Sequence, residues 1–223
     1  MMSDISVVLI KVLFVVVLGT ASLIIMQKTL RSMFSIYAVL SFIIDVMALV
    51  LNSQEHSGVL LALAIITLIT KVIIIPYMLN RVRKDSGLKR DGDFRYLTPV
   101  AAILVSIVIV FVVYNSFRSI AQLSQVNLFS LGAVSGVSLA LMGMLVIFSR
   151  KKVVTKTVGY LVMENGILIF SLFMAELPFI IELLLIVDLI IFILLSTILA
   201  FGIESTEEDF KRKLNVFSGL FKK

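Results

Sequence analysis

The chain has 223 residues, of which 60% are hydrophobic and 15% charged, and its mean hydropathy is +1.14. A soluble core of this size does not need so much apolar sequence, so the composition indicates an integral membrane protein. The absence of cysteine excludes thiolate-held iron–sulfur clusters and cysteine zinc sites, the single histidine argues against haem, and the net charge of +6 fits basic loops on one side of a membrane without requiring nucleic acid.

Seven apolar runs follow one another along the chain, each about as long as the 20 or so residues that cross a bilayer. The first run lacks the basic start of a signal peptide, so we interpret it as a retained span. Membrane β-strands would be shorter and would alternate polar and apolar residues. The predicted spans cover residues 5–26, 33–51, 58–80, 98–115, 128–148, 157–175 and 179–203. The sequence thus predicts an all-α, polytopic membrane bundle with seven transmembrane helices.

The connectors between these spans alternate in charge. Residues 27–32, 81–97 and 150–156 are rich in Lys and Arg, whereas 52–57 and 175–178 contain neither. Because cytoplasmic loops carry the excess of Lys and Arg, this pattern places the N-terminus outside and the C-terminus in the cytoplasm.

No long linker divides the chain, so residues 1–203 are predicted to form a single transmembrane domain. The basic loop 81–97 can separate two halves, 1–80 and 98–203. Residues 204–223 have apolar side chains at helical spacing and are predicted to form a cytoplasmic amphipathic helix. That helix can lie at the lipid interface or dock a cytoplasmic subunit.

Ionisable residues lie inside several predicted spans, at depths of about 10–22 Å from the cytoplasmic side if each residue rises about 1.5 Å. These depths fall in the middle zone of a hydrocarbon core about 30 Å thick, where charges are costly and usually functional. The residues in this layer are Asp45, Lys71, Glu164 and Asp188, and Glu182 lies nearer the outer end of the seventh span.

Polar neighbours accompany two of these charges. Ser41 precedes Asp45 by four residues, and Thr67 precedes Lys71 by four, so each hydroxyl shares a helix face with a charge. Pro76 lacks an N–H group and is expected to kink the third span just beyond Lys71.

Two interpretations of the charged layer compete. Lys71 can pair with Glu164 or Asp188 and simply staple the bundle, although buried pairs are weak sources of stability. Four buried charges of both signs favour the alternative, a path for proton or ion transfer.

Small residues indicate where helices pack closely. Gly132 and Gly136 form a GxxxG motif, which is typical of tight helix contacts, either within the chain or with another subunit. Gly159 and Gly166 are interpreted in the same way, and Asn165 between them is expected to hydrogen-bond across helices.

Three sequence blocks resemble one family in this order along the chain: "TLITKVIIIPYML" (67–79), "VGYLVMENGILIF" (158–170) and "PFIIELLLIVDLIIF" (178–192). They look like the hydrogenase-4 component E family, membrane subunits of formate hydrogenlyases and related group 4 nickel–iron hydrogenase complexes. The resemblance extends over most of the chain.

Residues 128–203 also resemble the small K-type subunit of respiratory complex I. Glu164 matches that subunit's first membrane carboxylate, and either Glu182 or Asp188 would match its second. Asp45 and Lys71 lie in additional spans that have no K-type counterpart.

The resemblance implies a membrane subunit that catalyses no redox reaction itself and belongs to a complex-I-like, redox-driven ion pump. In that setting, Glu164, Lys71, Asp188, Asp45 and Glu182 would contribute to proton or sodium translocation. The chain would hold no cofactor or metal, while partner subunits would hold a nickel–iron centre and iron–sulfur clusters. The implied partners are antiporter-like subunits, a membrane subunit of the quinone-oxidoreductase H type and hydrophilic redox subunits, in a prokaryotic cell membrane.

Two alternatives remain open. An autonomous proton or cation transporter would also need buried charges, but the sequence shows no clear inverted repeat. A purely structural connector would use the glycine face and the tail to dock other subunits. A membrane enzyme is not supported, because no nucleophile–base pair or metal-ligand cluster is present.

Overall fold

The computed structural model describes residues 4–55, 58–85, 98–121, 128–151 and 153–174, together with Ile186, Ile190 and Ile193. The predicted seventh span, its Glu182 and Asp188, and the tail 204–223 therefore lie outside the described residues, apart from those three isoleucines. The same holds for most of the 81–97 loop.

The described chain is helical and carries no β-strand. Its α-helices are α1 (Asp4–Met26), α2 (Leu30–Glu55), α3 (Gly58–Thr67), α4 (Ile75–Asp85), α5 (Pro99–Ala121), α6 (Leu128–Ser149) and α7 (Val153–Met174). A π-helical segment, Leu68–Ile74, joins α3 directly to α4. The all-α prediction is confirmed.

Six stretches of these helices are long and apolar enough to cross a membrane. They are Ile5–Met26, Leu30–Ser53, Ala64–Arg81, Pro99–Arg118, Leu128–Ser149 and Val154–Phe173. These six correspond in order to the first six predicted spans.

Local sequence signals explain some helix ends. Thr98 precedes Pro99, and its hydroxyl accepts a hydrogen bond from the N–H of Ala101 at 3.3 Å. Proline suits the first helical position because the N–H it lacks would have no intrahelical partner there. The pair therefore starts α5 at the end of the basic loop.

The bundle is built from two interlocking helical hairpins. Within the hairpin α6–α7 the helices make the most extensive contact in the described chain, while α1 packs against α2. Helix α1 also packs on α6, and α2 on α7, so each hairpin contributes one helix to each contact. The rings of Phe14 and Phe173 meet across this junction, with centroids 5.2 Å apart.

The remaining elements cover the outside of this four-helix centre. Helix α5 lies against α1 and α6, whereas α3, the π-helical segment and α4 lie against α2. As a result α7 is enclosed by α6 on one side and by α2 on another, which allows its side chains to meet those of the π-helical segment.

Candidate functional site

The π-helical segment positions one charged side chain inside the bundle. Lys71 is its only buried residue, with 1% of its surface exposed. The N–H of Ile75 bonds the carbonyl of Thr70, five residues back, as the π-helical pattern requires. Pro76 has no N–H with which to continue this ladder to the carbonyl of Lys71. The π-helical register therefore ends just before Pro76, and the kink expected there stays a prediction.

Helix α7 brings a carboxylate to Lys71. The Nζ atom of Lys71 lies 2.7 Å from Oε1 of Glu164, and each side chain is 1% exposed. Of the two carboxylates that the sequence offered as partners, the structure places Glu164 here. At this depth the ion pair has no bulk water to screen it, so each charge relies on the other and on nearby dipoles.

Asn165 supplies the second contact to Lys71. Its Oδ1 accepts a hydrogen bond from Lys71 Nζ at 3.2 Å, and its Nδ2 donates to Ser41 Oγ at 3.0 Å. The Ser41 contact orients the amide so that its oxygen faces the ammonium. Asn165 thus connects α7 to both α2 and the π-helical segment, in line with the cross-helix bond expected from its sequence position.

Asp45 completes the cluster by contacting Thr67, which lies one helical turn before Lys71. Its Oδ1 lies 2.6 Å from Oγ1 of Thr67, and its side chain is 2% exposed. Lys71 interacts with Asp45 electrostatically from the next turn of the same helical run. The hydroxyls that the sequence placed beside each charge therefore serve different charges: Thr67 contacts Asp45, and Ser41 contacts the Lys71 partner Asn165.

We name these six residues the polar cluster: Ser41, Asp45, Thr67, Lys71, Glu164 and Asn165. All six are at most 5% exposed. The cluster joins the N-terminal half, through α2 and the π-helical segment, to α7 of the C-terminal half.

One polar residue of α7 is exposed although its spacing from Glu164 is helical. Tyr160 lies four residues before Glu164, and this spacing alone would place both side chains on one polar stripe. Tyr160 is 46% exposed, whereas Glu164 is buried. The interpretation that both belong to one stripe is wrong, because four residues advance about 40° beyond a full turn and α7 is enclosed on only part of its circumference.

A seam of glycines holds α7 to α6 on the other side. A Cβ added at Gly136 would lie 2.6 Å from the backbone N of Phe170 and 2.8 Å from the carbonyl O of Gly166. We name this set the glycine seam: Gly132, Gly136 and Gly143 of α6 with Gly159 and Gly166 of α7. Each would meet an atom of the other helix closer than 3.0 Å if it carried a Cβ. The GxxxG motif therefore packs within the chain.

Arg150 was missed by the sequence reasoning, which counted it only as a basic loop residue. Its guanidinium is fully buried, and Nη2 donates to the carbonyls of Ile25 at 2.9 Å and Gln27 at 2.7 Å. It thereby caps the C-terminal end of α1, where carbonyls lack intrahelical partners. The signal available in the sequence was an arginine placed directly after a long apolar helix.

The same contact shows that Gln27, in the 27–32 connector, and Arg150, in the 150–156 connector, lie at one end of the bundle. Both were predicted to face the cytoplasm because of their basic residues. Their common position agrees with the alternation of connector charge.

The described residues contain no group of three or more His, Cys, Asp or Glu side chains that could hold a metal ion. What the polar cluster offers chemically is two carboxylates, one ammonium and three neutral hydrogen-bonding groups. Such groups can bind, release and relay protons, and their net charge depends on how many protons they hold.

No protein-family model, no curated protein and no solved structure matches this chain.

Proposed function

We propose that this chain is a membrane subunit of a complex-I-like, redox-driven ion pump, and that its polar cluster takes part in ion translocation. The observation that carries the proposal is the Lys71–Glu164 contact of 2.7 Å between two side chains that are each 1% exposed. Ionisable groups inside membrane helices are costly to bury and commonly mark ion pathways.

The surrounding groups support a role in proton or ion transfer, in addition to holding the helices together. A pair that served only to hold helices would need no second buried carboxylate, yet the buried Asp45 contacts Thr67, one helical turn before Lys71. The cluster holds two acidic groups and one basic group, and each proton that enters or leaves changes its charge by one unit. That change can bias the position of Lys71 between its neighbours.

The sequence resemblance supplies the setting for this role. The blocks containing Lys71 and Glu164 are two of the three that resemble hydrogenase-4 component E, and in the fold those two charges meet. The proposed complex contains antiporter-like subunits and redox subunits that carry nickel–iron and iron–sulfur centres, in a prokaryotic cell membrane. The chain itself transfers no electrons in this proposal.

The proposed topology has seven spans, with residues 179–203 as the seventh, the N-terminus outside and the C-terminus cytoplasmic. Six long apolar helices and the common end of two basic connectors support it. Asp188 and Glu182 on the seventh span would extend the polar cluster towards a neighbouring subunit.

Purification in mild detergent from the native membrane tests the assignment to a complex. We expect antiporter-like subunits and iron–sulfur proteins to co-purify, and mass spectrometry with nickel and iron analysis identifies them. Nickel at stoichiometric level would identify a hydrogenase module. A stable chain recovered alone, which transports ions after reconstitution, would instead establish an autonomous transporter and overturn the proposal.

A structural connector is the second candidate, because the glycine seam and the Arg150 cap both join the two halves without using ionisable chemistry. It predicts that neutral replacements at Lys71 and Glu164 together leave ion movement intact in the assembled complex. The ion-pump proposal predicts that ion movement stops while electron transfer continues.

A further inference from the structure

The two oxygens of the Asp45 carboxyl have different surroundings. Oδ1 lies 2.6 Å from Thr67 Oγ1. Oδ2 is buried and, within the part of the chain that the structure describes, has no hydrogen-bond partner. A fully charged carboxylate normally has several donors when it is removed from water, because its charge is otherwise costly to bury.

The hydrogens around Thr67 indicate which group supplies the proton in this contact. Thr67 Oγ1 also lies 3.3 Å from the carbonyl O of Ala64, but a hydroxyl has one hydrogen to donate. If Asp45 were a carboxylate, one of these two acceptors would face a lone pair of Thr67. If Asp45 carries a proton, its O–H donates to Thr67 and Thr67 donates to Ala64, so both contacts are hydrogen bonds.

The net charge of the cluster also favours a protonated Asp45. Lys71 is in direct contact with Glu164, so the single buried ammonium of the cluster is already paired. With all three groups ionised, the cluster would carry one net negative charge inside the membrane, and one bound proton removes it.

The titratable groups of the neighbouring elements do not change this balance. The elements packed against α2 carry further described titratable side chains, and all of them are exposed or only partly buried: Lys11 on α1, Tyr77 and Arg81 on α4, and Lys156 and Tyr160 on α7. Lys71 and Glu164 are therefore the buried charges that Asp45 meets from these elements.

We propose that the exchangeable proton of the polar cluster is held by the carboxyl group of Asp45, while Lys71 and Glu164 remain an ionised pair. This inference deepens the proposed function and rests on it for its role in transport. On release, the Asp45 O–H bond breaks, the proton passes to water and a carboxylate remains. The new negative charge then competes with Glu164 for the ammonium of Lys71, which couples proton release to the position of Lys71.

Infrared difference spectroscopy tests this directly on the full chain, purified with whatever subunits accompany it and returned to lipid. The difference spectrum between acidic and alkaline buffer should contain the C=O band of a buried carboxylic acid. We expect that band to shift when aspartate carries a heavy carbon isotope in its side-chain carboxyl, and to stay in place when glutamate is labelled. Asp45→Asn should abolish it.

A variant that keeps the carboxyl covers the case in which Asp45→Asn does not assemble. Thr67→Val removes the hydrogen-bond partner of Asp45 and should move the C=O band to higher frequency. Thr70→Val is the matched control, because the Thr70 hydroxyl bonds the carbonyl of Ile66 in its own helical run. Its band should not move.

Three results would overturn the inference: a band that follows labelled glutamate, a band lost in Glu164→Gln or Asp188→Asn but kept in Asp45→Asn, or a band that ignores Thr67→Val. The band is read without electron transfer. A negative result here therefore contradicts the Asp45 assignment, whereas recovery of the chain without redox partners contradicts the complex assignment.

Discussion

Helix α7 has two faces that are packed in opposite ways. Towards α6, the glycine seam brings backbone close to backbone, and the side chain of Phe173 packs on Gly132 at one end of it. Towards α2 and the π-helical segment, the contact is made by long polar side chains, with Lys71 reaching Glu164 and Asn165. The first face requires glycines, because an added Cβ would clash there, whereas the second requires particular polar side chains.

The sequence of α7 accounts for this division. At about 100° per residue, Gly166 lies about 20° around the helix from Gly159, so the two glycines share a face. Glu164 and Asn165 lie about 140° and about 120° away from Gly159 in opposite senses, on the far side of the helix. The pattern MENG therefore places the polar pair opposite the seam.

The two faces of α7 have different roles: one fixes the helix in place, and the other holds the polar side chains. Close backbone contact leaves α7 little freedom to slide or rotate against α6, because interiors that are packed to contact cannot deform continuously. Glu164 and Asn165 are then presented at a fixed height, and the adjustable partner is the flexible side chain of Lys71.

The largest effect is expected from filling the glycine seam. Gly136→Leu places a branched side chain against the backbone of Phe170 and Gly166, which cannot move aside without separating α6 from α7. We expect loss of the stable folded chain, beyond the roughly 4–5 kcal/mol that marks an exceptional substitution. Gly136→Ala should cost about 1–3 kcal/mol by overpacking. Thermal unfolding of the detergent-solubilised protein measures both.

Gly19→Ala is the matched control for the seam, because an added Cβ there meets nothing within 4 Å. It should be neutral or stabilising by up to about 1 kcal/mol, since alanine is the better helix former. Equal losses of stability for Gly19→Ala and Gly136→Ala would show that the tight contact does not stabilise the chain.

Breaking the ion pair on the polar face is expected to have the next largest effect. Lys71→Met leaves the Glu164 carboxylate buried without its cation, which typically costs about 3–5 kcal/mol. The double variant Lys71→Met/Glu164→Gln should recover most of this loss. Lys11→Met, at an exposed lysine of α1, is the control. A double variant as unstable as the sum of its singles would mean that the two side chains are not coupled.

The Arg150 cap joins the two hairpins away from both faces of α7. Arg150→Ala removes two hydrogen bonds from a charged donor, to the carbonyls of Ile25 in α1 and Gln27 just after it, and should destabilise the chain by about 1.5–3 kcal/mol. Arg31→Ala, at an exposed arginine of the same end, should stay within about 0.5 kcal/mol. Chemical unfolding of the two variants side by side distinguishes the cap from a general effect of lost positive charge.

The smallest effect is expected from the hydroxyl that orients Asn165. Ser41→Ala removes one neutral hydrogen bond and should cost about 1 kcal/mol. Because the Asn165 amide is then free to rotate, the contact with Lys71 should also weaken. A structure of Ser41→Ala with the Lys71–Asn165 bond unchanged at 3.2 Å would show that Ser41 does not position the amide.

Several features of the fold could be predicted from hydropathy and spacing alone. Long apolar runs separated by charged connectors are enough to locate six helices, because the cost of exposing backbone in lipid leaves few alternatives. The depths of Lys71 and Glu164, counted from the basic ends, placed them in one layer, and their contact agrees with that estimate.

Other features depend on information that hydropathy does not contain. The π-helical register around Lys71 is a change of hydrogen-bond partner, which apolar patterns do not record. Whether Lys71 meets Glu164 or Asp188 depends on which helices become neighbours. By composition, Arg150 belongs to a basic connector. It becomes a buried cap only because the C-terminal end of α1 lies beside it in the fold.

In the proposed function, the buried Lys71–Glu164 pair serves ion translocation. The most direct measurement is the number of ions taken up per electron transferred in native membrane vesicles that carry Glu164→Gln, with Arg31→Ala vesicles as the control. We expect the assembled variant complex still to transfer electrons but to take up few or no ions, while the control matches the unaltered protein. An unchanged ratio in an assembled Glu164→Gln complex would contradict this role in translocation and leave the pair with a structural role only.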